Sequence, residues 1–400
     1  MRTYETTHPW ISFEFRADRL SHLTWMLLGE ARSTCEHINT APIHPDVARR
    51  LHALYLSKCA AATTAIEGNT LTEDEVLQRV QGRLRLPPSR EYLGVEVDNI
   101  VAACNDIGAD VASGREFRLE PQRILAFNRR VLAGLDVEEG VVPGEYRTHS
   151  VVVGGVYRGA PAEDCAYLLE RLCAWLNGPE LAPVTDDDMS FALQLFRAIL
   201  AHLYIAWIHP FGDGNGRTAR LVELQILLHS GFVSTPAGHL LSNHFNLTRG
   251  NYHTELDRAS KSADGVASFI AYAVRGFVDG LRAQLTEIQE QQLLVTWRDV
   301  VSSHFHDLRG KTAERQRRLV LDLHQPTARR EISHVSPRVA ELYAGLSDKT
   351  AGRDLALLEA AELIVRRGDV IAPNYGLVHE LLPLRAAGAL SDVGGGAEIA

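Results

Sequence analysis

The stretch His209-Pro210-Phe211-Gly212-Asp213-Gly214-Asn215-Gly216-Arg217-Thr218-Ala219-Arg220 separates two apolar segments, Met189 to Trp207 and Arg217 to His229, both with helical spacing. A glycine-rich loop opening directly into a helix presents unpaired backbone N–H groups and the positive end of the helix dipole. Such a mouth is an anion site, and phosphate is its usual occupant. Arg217 and Arg220 lie three apart on the following helix, so both reach toward that mouth. Asp213 beside a phosphate cradle suits Mg²⁺, which keeps several waters and needs only one or two carboxylates. His209, ending the preceding helix, is a natural proton acceptor for an incoming hydroxyl. The parts of a phosphoryl- or nucleotidyl-transfer site thus fall within one short run.

Two blander readings compete with this one. Gly214 to Ala219 formally fits the dinucleotide pattern GxGxxG/A, but that fingerprint needs a preceding strand, and here a helix precedes. A plain helix–loop–helix connector would use the glycines and have no need of His, Asp, Asn and two Arg around them. There is no P-loop lysine in the run either. Phe211 reads as a core anchor pinning the loop, and His202 as a hydrogen-bonded core histidine, so neither is a catalytic candidate.

Outward from the loop, most of the chain has helical periodicity. His44 to Glu67 is a long amphipathic pattern stopped by Gly68-Asn69, and Thr72 with Glu75 is a capping box for the next helix. Further helices are expected near Glu91–Ile107, Pro121–Leu135 and Pro161–Asn177, and from Val266 to Leu294. Between the second and third of these, Val151-Val152-Val153 followed by Gly154-Gly155 reads as a short hairpin within 146–157. Beyond Gly310 come three short helices (312–324, one after Ser336-Pro337, and 348–363), then the hairpin pattern 364–371, the order of a winged helix-turn-helix. The fold class is therefore mainly α, a helical core with one β-hairpin flap and a small C-terminal winged helix-turn-helix. The expected organisation is an N-terminal helical region 1–110, a core 111–290, a linker helix 291–310, a winged-helix domain 311–385 and a disordered tail 386–400.

Composition narrows the class. The chain has 400 residues, 46% hydrophobic and 23% charged, with no apolar run approaching the roughly 18–20 residues of a membrane span. The opening residues MRTYETTHPW lack the apolar stretch of a secretory signal, and a cytoplasmic protein without membrane partners is expected. A net charge of −9 excludes coating of nucleic acid by bulk electrostatics. The segment from Lys311 to Arg385 has 12 basic residues against 10 acidic ones, too little excess to argue for DNA, which remains a partner that is not favoured. Cys35, Cys59, Cys104, Cys165 and Cys173 are odd in number and form no CxxC pair, so a disulfide framework or structural zinc site is not expected.

The run from His209 to Arg220 resembles the signature HxFx(D/E)GNGRxxR of the Fic family, with every fixed position filled. The resemblance extends to Ala201-His202 and to Gly144-Glu145-Tyr146-Arg147, and covers roughly residues 50–290. It implies a Fic-type helical core whose enzymes transfer AMP from ATP to a Ser, Thr or Tyr hydroxyl of a protein, releasing pyrophosphate. By position it implies His209 as general base and Asp213 as Mg²⁺ ligand. Gly214, Asn215 and Gly216 would form the anion hole, Arg217 and Arg220 would contact the outer phosphates, and Val151, Val152, Val153, Gly154 and Gly155 would be the target-docking flap. Tyr252 is a candidate for stacking on the base.

Thr63-Thr64-Ala65-Ile66-Glu67-Gly68-Asn69 resembles the inhibitory motif (S/T)xxxE(G/N) of the same family, with Thr63, Glu67 and Gly68 at its defined positions. Taken alone, Glu67 reads as a solvated glutamate at a helix end. The resemblance implies that it pairs with Arg220 and keeps ATP from its reactive pose. An arginine held by a carboxylate cannot also neutralise a phosphate. Partners expected on this reading are ATP, Mg²⁺ and a hydroxyl-bearing protein target, which includes another copy of the chain, and a homodimer is compatible with it. The alternatives are a transcription regulator or interaction protein retaining a nucleotide-sensing Fic core, or a Fic enzyme of different transfer chemistry. The presence of His209 favours an enzyme, because a sensor needs no base.

Overall fold

Helix Asp187–Ile208 is buried along almost its whole length. A helix apolar on every side is either a core element or a membrane span. This one is long and apolar enough to cross a bilayer, which the reading of the sequence by uninterrupted runs did not register, but 89% of its most apolar window is covered by the rest of the protein. The Asp186 side chain accepts the Met189 N–H at 2.8 Å, and Asp187 and Asp188 face the positive end of the dipole. At the far end His209 turns left-handed, with φ 49°, and Pro210 bars any continuation. After the glycine loop the chain returns as helix Asn215–His229, which packs closely on Asp187–Ile208.

The computed structural model describes residues 2–41, 45–153, 157–262 and 264–379. They divide into two compact units, the first ending at Leu285 and the second beginning at Thr286. In the first, helix Pro121–Val131 packs on Asn215–His229 and on Glu91–Ala112, and Cys165–Leu176 packs on Asp187–Ile208. Helix Pro45–Ala65 lies against Glu91–Ala112, Glu73–Val80 and Leu240–Leu247. The expected capping box is present: Thr72 Oγ1 accepts from Glu75 N at 3.2 Å, and Glu75 Oε2 accepts from Thr72 N at 2.9 Å.

The helix expected to run to Glu67 ends instead at Ala65. Ile66-Glu67-Gly68 is a turn, with Glu67 N donating to Thr64 O and Gly68 N to Ala65 O, both at 3.0 Å. Gly68 has φ 102°, a backbone state open to glycine and costly for other residues. The turn carries Glu67 off the helix axis toward the loop described below. The flap hairpin pairs Val152–Val153 with Tyr157–Arg158 in antiparallel register, Val152 opposite Arg158 and Val153 opposite Tyr157. Gly154 and Gly155 lie outside the described residues, as does the tail 386–400.

The second unit has the element order helix Lys311–Asp322, strand Thr327–Ala328, helix Pro337–Tyr343, helix Asp348–Ala360 and the hairpin Ile364–Arg367 with Val370–Pro373. The second hairpin strand sits between the first and the isolated strand, all antiparallel. The three helices and the hairpin follow the order expected from the sequence, with the strand Thr327–Ala328 added after the first helix. The stretch 291–310, expected as a linker, is not a bare connection. Helix Gly265–His304 continues ten residues past the expected end at Leu294 because Trp297 and Val301, and Phe305 after them, pack into this unit's core. Within that core Asp354 is fully paired, accepting from Arg315 Nε at 2.6 Å, Gln316 Nε2 at 2.8 Å and Tyr343 Oη at 3.0 Å.

Candidate active site

The glycine loop is held in shape by side chains that turn away from its mouth. Asn215 Oδ1 accepts from Phe211 N at 3.0 Å and its Nδ2 donates to Phe211 O at 2.8 Å, so this amide staples the loop to itself. Asn215 was expected to line the anion hole; its side chain does not, and only its backbone N–H is left for that role. Phe211 is buried, 1% exposed, as an anchor should be. Asn128, fully buried on helix Pro121–Val131, donates to Asp213 O at 2.8 Å and accepts from Gly144 N at 2.9 Å, tying the loop to the segment before the flap.

The loop opens into the helix without a capping side chain. The first intrahelical bond runs from Thr218 N to Gly214 O at 2.9 Å, so the N–H groups of Asn215, Gly216 and Arg217 have no partner inside the helix. Arg217 and Arg220 are 5% and 2% exposed. Arg220 places only Nη2 in hydrogen bonds; among the described residues its Nε and Nη1, and the Nε of Arg217, are buried without a partner. Buried donors are normally satisfied, and an under-satisfied guanidinium beside free helix-start N–H groups is a receptor for an anion.

His209 is positioned by its own strained backbone. A left-handed non-glycine residue costs roughly 1–2 kcal/mol, and His209 adopts that conformation where helix Asp187–Ile208 gives way to the loop. Its Nδ1 lies 3.3 Å from Ala206 O, a group that can only accept, so Nδ1 carries the proton and Nε2 carries the lone pair. Burial pushes the imidazole pKa down to about 4, assisted by Arg147 and opposed by Glu67 and Asp213. His209 is therefore neutral near pH 7. Arg147 fixes the surroundings: its Nε donates to His209 O at 2.7 Å, its Nη1 to His149 O at 2.6 Å and its Nη2 to Ala160 O, clamping both ends of the flap to the base. Gly159, at the close of the flap, leaves no room for a Cβ, which would stand 2.9 Å from His209 Cβ.

Glu67 reaches the loop from the turn that follows helix Pro45–Ala65. Its Oε1 accepts from Arg220 Nη2 at 2.6 Å, and the same nitrogen donates to Thr63 O at 2.9 Å. Thr63 thus contributes its carbonyl, with its side chain buried in the helix packing. Burial raises the Glu67 carboxyl, but Arg220, followed by Arg217 and His209, outweighs it and holds the group below the ordinary carboxylate value, so the contact is an ion pair. Gly216 makes the approach possible, because a Cβ there would strike Glu67 Oε1 and stand 3.2 Å from Arg220 Nη1. Asp213, with its side chain 48% exposed, accepts from Arg217 Nη2 at 3.1 and 3.3 Å and from Gly214 N at 2.5 Å. As one exposed hard oxygen donor beside an anion mouth it fits Mg²⁺, whose other ligands would be phosphate and water.

Several functional neighbours escaped the sequence reading. Asn128 carried a signal, since it falls on the buried stripe Ile124, Phe127, Asn128, Val131, where a polar residue must have a partner. Glu96 carried none, although its Oε1 accepts from Arg217 Nη1 at 3.1 Å. His202 is a core histidine as expected, between Glu223 Oε2 at 2.9 Å and Tyr252 Oη at 2.8 Å. Tyr252, a candidate for stacking on a base, is only 4% exposed, hydrogen-bonded to His202 and stacked on Phe245. It is a core residue and leaves that role open.

Residues 118–227 match the family model of the Fic/DOC family. Protein adenylyltransferase fic-1 of Caenorhabditis briggsae is 31% identical over 225 residues, 54% of this chain and 40% of that protein. Protein adenylyltransferase Fic of Drosophila ananassae is 33% identical over 175 residues, 42% of this chain and 31% of that protein. The chain therefore spans two fifths or less of these curated relatives. Among solved structures, a Fic family protein from Desulfovibrio desulfuricans G20 superposes with a TM-score of 0.52 at 19% identity, covering 87% of this chain and 94% of that one. Fic-1 of C. elegans superposes with a TM-score of 0.51 at 23% identity, covering 65% and 71%. At such identities the likeness is one of fold. The segment 118–227 that matches the Fic/DOC family model contains the complete loop motif His209 to Arg220.

Proposed function

We propose that this protein is a protein adenylyltransferase, transferring AMP from ATP to a Ser, Thr or Tyr hydroxyl of a protein target, and that Glu67 restrains it. The observation that carries the reading is the pair of buried arginines with unpartnered donors among the described residues, on a helix whose first three N–H groups have no partner inside it, with a neutral imidazole at the start of the same loop. Gly214, Gly216 and the backbone of Asn215 would cradle the phosphates, and Arg217 and Arg220 would neutralise the outer ones. Asp213 would hold Mg²⁺, which supplies charge neutralisation on the phosphate oxygens when bound. The target hydroxyl oxygen attacks the α-phosphorus while its proton passes to Nε2 of His209. The bond from that phosphorus to the bridging oxygen breaks, and pyrophosphate leaves. Val152 and Val153, 53% and 37% exposed on the short flap hairpin, offer a strand edge where an extended target segment would align its hydroxyl.

Glu67 occupies the guanidinium that a phosphate needs. While the 2.6 Å pair stands, ATP is expected to bind with its α-phosphorus out of line. The second unit, with its winged-helix order, is read as a recruitment module for the target. The reading is tested by comparing label transfer to protein from ATP labelled at the α- or the γ-phosphorus, with Mg²⁺ and the Glu67→Gly variant. Label from the α position alone is expected, and its loss in Glu67→Gly/His209→Ala. Label from the γ position would replace the proposal with phosphorylation, and no label from either, with ATP still bound, would favour a nucleotide sensor.

A further inference from the structure

Glu96 stands on helix Glu91–Ala112, outside the loop motif and outside residues 118–227, yet it holds one of the two arginines. Its two oxygens serve different partners: Oε1 takes Arg217 Nη1 at 3.1 Å and Oε2 takes Asn69 Nδ2 at 2.7 Å. Asn69 is itself fixed, with Nδ2 also donating to Leu93 O at 3.0 Å and Oδ1 accepting from Leu71 N at 3.0 Å. The carboxylate is thus braced from behind by a buried neutral amide and faces the cation in front. Asp213, the other partner of Arg217, differs in kind: its side chain is 48% exposed, against 17% for Glu96. A charge pair out of water is the stronger hold, so Glu96 is the anchor and Asp213 the partner that can exchange.

We infer that Glu96 is the positioning residue of Arg217, fixing one nitrogen of the guanidinium so that the rest of it faces the phosphate mouth. The inference rests on the proposed function, in which Arg217 contacts the phosphates of ATP. When ATP arrives, Nη2 trades Asp213 for a phosphate oxygen while Nη1 stays on Glu96, and Asp213 is released toward Mg²⁺. The Gly68 turn divides two duties between neighbours: Glu67 goes to Arg220, and Asn69 goes to Glu96. Removing Glu67 therefore frees one arginine and leaves the other oriented.

The test uses the full chain in the Glu67→Gly background, adding Glu96→Ala, Glu96→Gln or Asn69→Ala. KM and kcat for ATP are measured in transfer, and the dissociation constant of Mg²⁺-ATP by calorimetry. Loss of a charge-assisted hold predicts that Glu96→Ala raises both KM and the dissociation constant about tenfold with kcat changed less than about twofold. Glu96→Gln and Asn69→Ala should move them the same way by about threefold each, and they carry the test if Glu96→Ala does not fold. Unchanged ATP affinity in folded variants overturns the inference. So does a faster wild-type reaction on Glu96→Ala with Glu67 intact, which would make Glu96 a second brake. If the Glu67→Gly parent binds ATP but transfers nothing, the adenylyltransferase reading fails and the affinity comparison alone decides Glu96. A parent that binds no ATP overturns both.

Discussion

Replacing Glu67 by Gly removes a carboxylate bonded at 2.6 Å to Arg220, whose side chain is almost wholly buried. Hydrogen bonds to charged groups contribute about 1.5–3 kcal/mol net. If ATP must displace that bond to reach its reactive pose, the same energy restrains the reaction, and Glu67→Gly should accelerate transfer by about 10- to 150-fold. The substitution also leaves Arg220 with only the Thr63 carbonyl, so the ligand-free variant should be less stable than wild type by about 1–3 kcal/mol. Phosphate can replace the lost carboxylate, so saturating Mg²⁺-ATP should raise the melting temperature of the variant more than that of wild type. The assay is initial-rate transfer of α-labelled AMP to protein, run beside thermal melts with and without nucleotide. A rate equal to or below wild type, in a variant that melts cooperatively and binds ATP, would refute the restraint while leaving His209 and the loop assignment in place.

The base should titrate low. With the folded pKa of His209 depressed from its ordinary 6.5 to about 4, the imidazole remains a proton acceptor until the pH falls through about 4. Transfer by Glu67→Gly at pH 5.5 should then lie within about twofold of its value at pH 7.5, where an unshifted histidine would lose about tenfold; a midpoint near 6.5 would show that the imidazole is not held as described. Asn128→Ala removes both a donor to Asp213 O and an acceptor for Gly144 N in a fully buried place, and should lower stability by about 2–4 kcal/mol in denaturant unfolding. A loss below about 0.5 kcal/mol would mean that the loop does not depend on this amide. Gly216→Ala should expel Glu67 by direct contact while also narrowing the cradle, so it should fail to activate where Glu67→Gly succeeds. Activation equal to that of Glu67→Gly would show that the cradle tolerates a methyl group.

The chemistry of the loop was legible because it is local. His209 to Arg220 lie on one helix–loop–helix, where backbone rules alone bring free N–H groups, a carboxylate and two cations to one mouth. The helical class was legible for a related reason: long periodic segments such as Asp187–Ile208 and Asn215–His229 announce themselves within one window, and their ends shifted by only a few residues. The contact of Glu67 with Arg220 was half legible. Spacing supplied Thr63, Glu67 and Gly68 by resemblance, whereas the turn that takes Glu67 off its helix, and the glycine face at Gly216 that receives it, belong to the packed structure.

By itself the sequence determined the helical architecture, the anion-binding loop with its candidate base, and the class of chemistry they suit, because each follows from residues within a few turns of one another. Only the tertiary structure decided which carboxylate holds which arginine, that Asn215 faces inward, that Tyr252 is core, and that helix Gly265–His304 runs on past Leu294. Glu96 and Arg217 are 121 residues apart. No local propensity relates two such positions, because burial and pairing are properties of the surface another helix presents, and that surface exists only once the chain has folded.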